Sequence, residues 1–358
     1  MALGGVQVQQ RDKRMSLMLD TRDKRTHEIF SIVERAMQGT GLTDEEAKKL
    51  YAVNPDSSLG AYVTQAGREL TFQSSNGRAE VHAQIGLNGS PCPKNCTFCS
   101  FAVCNGVRSG KLEIGRKEVI EYAKIYEDSG ANALLLLCTA SYKFEKLLEM
   151  LSAVREVISK DMPLLANTGD MTLEEAQQVK AAGANGCYHA VRMGEGLDTT
   201  IPVETRLESF KNIRAAGLTL STCVEPVGPE HSIDELVEKT RICIESEALS
   251  AGVGRRIEVP GTLMFDRGMI TSFTAGFYIA VYRLVTGLFP RLNCSGGTEL
   301  MAGAGANLAW AEVGTNPRDT KQRTEDGGRA MNIEQCRKVF IDAGYELLEG
   351  PSPGWILD

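Results

Sequence analysis

The sequence predicts an α/β fold, specifically a (β/α)8 TIM barrel preceded by a helical lead-in. Three observations predict it. Eight short apolar stretches recur from about residue 81 onward, and most are separated by stretches with helical spacing. A small-residue–glycine step ends successive amphipathic stretches, at Ser129-Gly130, Ala182-Gly183, Ala216-Gly217, Ala304-Gly305 and Ala343-Gly344. Glycine there can take the left-handed conformation that ends a helix and turns the chain back toward a strand. A length of 358 residues is ordinary for one such barrel. Serial strand–helix units imply a parallel sheet, and eight of them close most simply on themselves. An open doubly wound sheet is the alternative.

Residues 1–25 are polar, mixed in charge and without a period, and read as a tail. The remainder, 26–358, reads as one barrel unit that includes a helical lead-in over 26–80. HEIFSIVERAM (27–37), LTDEEAKKLY (42–51) and LGAYVTQAGREL (59–70) supply the lead-in helices. The strand candidates follow: VHAQIGL (81–87), ALLLLC (133–138), PLLANTG (163–169), CYHAVR (187–192), LTLSTCVEP (218–226), RRIEVPG (255–261), RLNCSG (291–296) and ANLAWAE (306–312). Thr172 with Glu175, and Ser232 with Glu235, have the spacing of capping boxes. Leu207, Phe210 and Ile213 fall on one helical stripe.

Apolar residues make up 42% and charged residues 24%, enough for a large core and too apolar for intrinsic disorder. The net charge of -7 argues against a nucleic-acid binder that works by overall charge. No apolar run approaches the roughly 18 residues of a membrane span. Without an apolar run of signal-peptide type near the start, the expected location is cytoplasmic. Ten cysteines in such a chain point to metal or catalytic use rather than disulfides.

The sharpest local signal is Cys92-Pro-Lys-Asn-Cys96-Thr-Phe-Cys99, a C-x3-C-x2-C spacing on the loop after the first strand candidate. Structural zinc sites use four protein ligands. Three thiolates on a 4Fe–4S cluster leave one iron open to an exogenous ligand. An iron–sulfur centre, a zinc site and an incidental cluster of cysteines all remain open on spacing alone, and nearby Cys104 adds a fourth thiol.

At these residues the sequence resembles the radical S-adenosylmethionine (SAM) superfamily, whose motif also carries an aromatic before the third cysteine, here Phe98. The likeness extends over roughly 40–350 to the group that holds biotin synthase, the hydrogenase maturase HydE and methylornithine synthase. TDEEAKKLY and CPKNCTFCSFA match that group's lead-in and cluster loop. VPGTLM (259–264) is similar to its IPGTPL, and GAGANLAWAEVGTNPRD (303–319) to its AGAN…NP..D segment. The resemblance implies a 4Fe–4S cluster on Cys92, Cys96 and Cys99. It further implies SAM chelated at the open iron and cleaved by one electron to a 5′-deoxyadenosyl radical. By the same resemblance Phe98 packs near the adenine, backbone at Val259 on the sixth strand reads the adenine edge, and the end of strand four, His189 to Glu195, faces SAM. Arg192 and Glu195 are the candidate cofactor-binding side chains there. No catalytic acid, base or nucleophile is singled out.

Biotin synthases hold a second, sacrificial cluster. Leu135, Leu165 and Ser221 occupy its three cysteine positions here, and Arg291 its arginine position. Other cysteines stand near strand ends, so a relocated auxiliary iron–sulfur cluster on Cys138, Cys223 and Cys294 is one expectation. Independent core cysteines are the other. Cys187 also sits near a strand end, while Cys243 and Cys336 fall on buried helix faces.

Three functions follow as expectations. The leading one is sulfur insertion at an unactivated carbon of dethiobiotin or a related carboxylate, with Arg291, Arg255 and Arg256 as carboxylate or cluster partners. The second is radical chemistry without sulfur insertion, like that of HydE or methylornithine synthase. The third is a zinc-stabilised, non-redox barrel. The expected partners are a small-molecule substrate and a reductant such as flavodoxin or ferredoxin, with a homodimer allowed for, and neither nucleic acid nor membrane. The four histidines lack metal spacing, Trp310 and Trp355 read as packing residues, and the tail charges at Lys13, Arg14 and Arg22–Arg25 read as a solvated face.

Overall fold

The computed structural model describes residues 23–294 and 297–357. Three helices come first: α1 (Lys24–Ala36), α2 (Asp44–Tyr51) and α3 (Ser58–Ser75). Asp23 caps α1 by accepting from the backbone N–H of Thr26, so the helix takes up the last two residues of the expected tail. The remaining tail charges lie outside the described residues.

A closed barrel of parallel strands follows. Its members are β1 (Arg78–Gly86), β2 (Leu134–Leu137), β3 (Leu164–Asn167), β4 (Gly186–Tyr188), β5 (Thr219–Ser221), β6 (Val224–Val227), β7 (Ser250–Arg255), β8 (Leu292–Cys294) and β9 (Leu308–Gly314). The last joins the first in register from Glu80 opposite Leu308 to Gly86 opposite Gly314. β5 and β6 form one stave, interrupted at Thr222-Cys223; both pair with β7. Helices α4 (Arg116–Asp128), α5 (Phe144–Arg155), α6 (Leu173–Ala181), α7 (Val203–Ala215), α8 (Ile233–Glu245), α9 (Ser272–Thr286), α10 (Glu299–Gly303) and α11 (Ile333–Asp342) alternate with the staves. A short β10 (Glu346–Leu347) pairs with the start of β1.

All five predicted helix-ending glycines take positive φ, between 73° and 113°. Thr172 and Glu175 form the full capping box of α6. At α8 only half forms: Ser232 accepts from Glu235 N–H, while the Glu235 carboxylate accepts from Gly194 N–H instead. The sixth strand is misplaced in the sequence reading. It is Ser250–Arg255 rather than 255–261, and Val259 lies in the loop beyond it. SAGVGR has little β propensity, yet Gly252 is needed there because a Cβ would strike the backbone of Cys294 on the next stave.

Side-chain alternation splits the core into two layers. Val81, Ala83, Ile85, Leu134, Leu136 and Cys187 face the helices. Leu135, Leu137, Leu165, Leu292, Cys294 and Leu308 face inward with Trp355, against Tyr188 and Trp310. Trp355 is fully buried and closes the N-terminal floor, where Thr219 Oγ1 donates to its carbonyl at 3.2 Å. Asn132 holds the same C-terminal segment by donating to the carbonyls of Leu348 and Gly350 at 3.0 and 2.6 Å. The lead-in packs on α9 so closely that a Cβ on Gly67 would lie 2.6 Å from Ala280 Cα. Among the described residues no helix is long and apolar enough to cross a membrane.

Candidate active site

Loops at the C-terminal ends of barrel staves carry the chemistry in this fold, and the three-cysteine loop leaves the end of β1. Its backbone is folded on itself. Cys92 N–H donates to Phe101 O at 2.7 Å, Val103 N–H to Cys92 O at 3.0 Å, and Cys99 N–H to Cys96 O at 2.9 Å. Phe101 N–H points at Cys99 Sγ, 3.4 Å away, a contact that stabilises a thiolate or metal-bound sulfur. Asn95 takes a left-handed φ of 49° and accepts from Cys104 N–H at 3.0 Å. Cys104 is therefore an exposed member of the loop's turn.

Other loops lock this one in place. Thr97 donates twice to Asp198 O, Thr200 donates to Lys94 O, and Ser100 N–H donates to Pro317 O. Asn105 bridges three backbone groups on two loops. Its amide donates to Thr97 O and Cys99 O, and its carbonyl accepts from Leu263 N–H. The cysteine loop is thus tied to the loops after β4, β7 and β9.

The three thiols are half-buried and electrostatically coupled. Burial pushes the Cys96 thiol up to about 11, against the pull of Arg192 and Arg206, and the Cys99 thiol up to about 12. Metal uptake would displace those protons. Among the described residues no three His, Cys, Asp or Glu side chains converge as a single-ion site requires. The donor set fits a cluster: three soft thiols on one loop, one receiving a backbone N–H, with two guanidinium groups near enough to offset thiolate charge.

Below the loop, the upper lumen is lined by paired charges. Tyr188 and Arg192 both donate to Glu225 Oε1, and the Arg192 guanidinium lies 5.7 Å from the Tyr188 ring centre. On β9, Glu312 accepts from Arg318, from Asn316 at 2.6 Å and from Gln84 at 3.2 Å. Burial raises the Glu312 carboxyl despite these donors. Glu312 raises the Arg318 guanidinium, and Glu225, Tyr188 and Cys294 also lie within its electrostatic reach. The two Arg–Glu pairs therefore lie within electrostatic reach of each other.

Of the residues expected to meet SAM, Phe98 is half-buried on the loop. Arg192 is engaged by Glu225. Glu195 is sequestered, accepting from Thr199, from Arg206 Nε at 3.2 Å and from Arg192 N–H at 2.9 Å. The Val259 carbonyl accepts from Thr262.

The extra thiols are buried and spread over three staves. Cys138 donates to Thr168 Oγ1 at 3.3 Å, Cys223 donates to Gly252 O at 3.2 Å, and Cys294 accepts from Trp310 Nε1 at 3.3 Å. Cys294 lies within electrostatic reach of Cys223, and Cys92 within that of Cys138. Cys187, Cys243 and Cys336 are buried in the layer under the helices.

Of the arginines expected near the chemistry, one lies at the opposite end of the barrel and two at the end of β7. Arg291 lies at the barrel floor, because it precedes β8, and pairs with Glu80 at 2.6 Å. Arg256 is buried against Glu230. Arg255, at outward parity on β7, contacts Ile270 O at 3.5 Å. Tyr188, Glu225, Glu312, Arg318 and Asn105 were missed as site residues. Acidic residues at inward strand parity were the available signal for Glu225 and Glu312.

No protein-family model matches the chain. It is 26% identical to a biotin synthase of Microcystis aeruginosa over 286 residues, covering 75% of this chain and 77% of that one. It is 24% identical to a biotin synthase of Gloeothece citriformis over 343 residues, covering 91% and 93%. The fold is similar to that of methylornithine synthase (PylB), with a TM-score of 0.72 at 17% identity over 90% of this chain and 97% of that one. It is also similar to HydG, a maturase of the FeFe-hydrogenase, with a TM-score of 0.72 at 14% identity over 94% and 79%.

Proposed function

We propose that this chain is a radical SAM enzyme, similar in sequence to biotin synthases, and that it acts on a small charged substrate held in the barrel lumen without drawing sulfur from a second cluster. The observation that carries this reading is the two Arg–Glu couples of the upper lumen, Arg192–Glu225 and Arg318–Glu312, with Arg192 within electrostatic reach of Cys96. Cys92, Cys96 and Cys99 would hold a 4Fe–4S cluster, with SAM bound beside them. When bound, the two supply a 5′-deoxyadenosyl radical that removes hydrogen from carbon.

The chain's own residues prepare that event. Asn105, Thr97 and Ser100 fix the cysteine loop against three neighbouring loops. Leu135, Leu137 and Leu165 make one side of the lumen apolar, which excludes water from a reactive carbon radical. Glu225 and Glu312 accept donors of the substrate, and Arg192 and Arg318 meet its anionic groups. Bound substrate would exchange intramolecular ion pairs for intermolecular ones, leaving no net charge buried.

A second reading, sulfur insertion of the biotin synthase kind, is favoured by one observation: Cys223 and Cys294 both face the lumen and are coupled. Iron and sulfide analysis of anaerobically reconstituted protein separates the two. About four of each per chain supports the proposed reading, and clearly more supports an auxiliary cluster.

A further inference from the structure

Asp170, just beyond β3, holds one carboxylate oxygen in a network and leaves the other buried without a partner. Oδ1 meets His189 Nε2 at 3.1 Å and accepts from Arg206 at 3.0 Å. Arg206 is held in turn by Glu195 at 3.2 Å. Oδ2 is shielded from solvent and has no hydrogen-bond partner among the described residues. A buried acceptor without a donor is costly, and native sites rarely keep one for nothing.

The group stays ionised in spite of burial, since the hydrogen bond with His189 and the charge of Arg206 hold it at about 2, with Lys94 of the cysteine loop assisting. Arg206 is also within electrostatic reach of Cys96. The orphan oxygen thus belongs to a network that spans the end of β3, the end of β4 and the cysteine loop.

We propose that Asp170 Oδ2 receives a hydrogen-bond donor of SAM, either the methionyl ammonium or a ribose hydroxyl. This rests on the radical SAM reading. Asp170 acts here as a binding group, while His189 and Arg206 orient it. Its replacement by Asn tests the proposal sharply. The Asn oxygen must face Arg206, so the amide N–H2 takes the place of Oδ2 and a donor confronts a donor.

The test measures dissociation constants by calorimetry on cluster-loaded protein under anaerobic conditions. The probes are SAM, methionine alone and adenosine alone. Wild-type protein and D170N are compared, and the change in the cluster's paramagnetic resonance on adding SAM is recorded. A hydrogen bond to a charged group predicts SAM binding weaker by about 10- to 100-fold in D170N. Weakening of methionine identifies the ammonium, and weakening of adenosine identifies the hydroxyl. If D170N does not fold, D170E displaces the same oxygen and should weaken the same single fragment. SAM binding within twofold of wild type, or equal weakening of both fragments, overturns the proposal. Wild-type protein that binds neither iron nor SAM would instead remove the radical SAM reading itself.

Discussion

The side-chain amide of Asn105 donates to the carbonyl oxygen of Cys99 at 2.8 Å. Through its own carbonyl, Asn105 also accepts from Leu263 N–H at 3.0 Å. It is therefore the clasp between the cysteine loop and the loop after β7. Asn105→Ala should lower SAM affinity more than it lowers stability, because Asn105 lies on the rim and the core is elsewhere. Calorimetry and a thermal melt check this. A Tm drop with unchanged SAM affinity would contradict it.

The Glu312 carboxylate is buried and Arg318 is its cationic partner. Arg318→Ala should destabilise the fold by about 1–2 kcal/mol, since it leaves a buried charge held only by Asn316 and Gln84. Glu312→Gln should cost less, because it removes that charge. Chemical denaturation of the two variants gives the order directly. Greater loss in Glu312→Gln would reverse the assignment of which group is desolvated.

His82 and His189 are both buried, and burial lowers each below the usual histidine value. The unfolded chain takes up protons near pH 6.5 while the folded chain does not, so stability should fall as pH drops below that point. The Tm should be lower at pH 5.5 than at pH 7.5, and His82→Gln should flatten the slope. A Tm that is constant across this window would show that both rings titrate in the fold as they do in the unfolded chain.

Trp355 fills the barrel floor, packed at 5.9 Å from the His82 ring. Trp355→Ala should cost about 3–5 kcal/mol through the cavity it leaves. The upper lumen lies at the other end of the staves, so SAM binding by the folded fraction should be retained. Denaturant midpoints and calorimetry on the same sample check both halves.

The barrel was legible in the sequence because the helix-ending glycines and apolar runs are local signals. Gly130, Gly183 and Gly217 each turn the chain where their positions indicated. The sixth strand was not legible. Ser250–Arg255 is rich in small residues because neighbouring backbone crowds it, and the more apolar VPG beyond it drew the boundary away. The cysteine loop was visible from spacing alone. The charges of the lumen were not, since Glu225 and Glu312 are distant in sequence and come within electrostatic reach only through barrel closure. Arg291 was misjudged because its distance from the strand end, rather than its residue type, decides which face of the barrel it serves.

The proposed function depends on a cluster at Cys92, Cys96 and Cys99 with one iron open to SAM. Anaerobic reconstitution followed by paramagnetic resonance of the reduced protein, with and without SAM, tests it most directly. The expected result is about four irons per chain, a signal that changes on adding SAM, and loss of both in Cys96→Ala. A colourless protein holding one zinc, with no response to SAM, would contradict it.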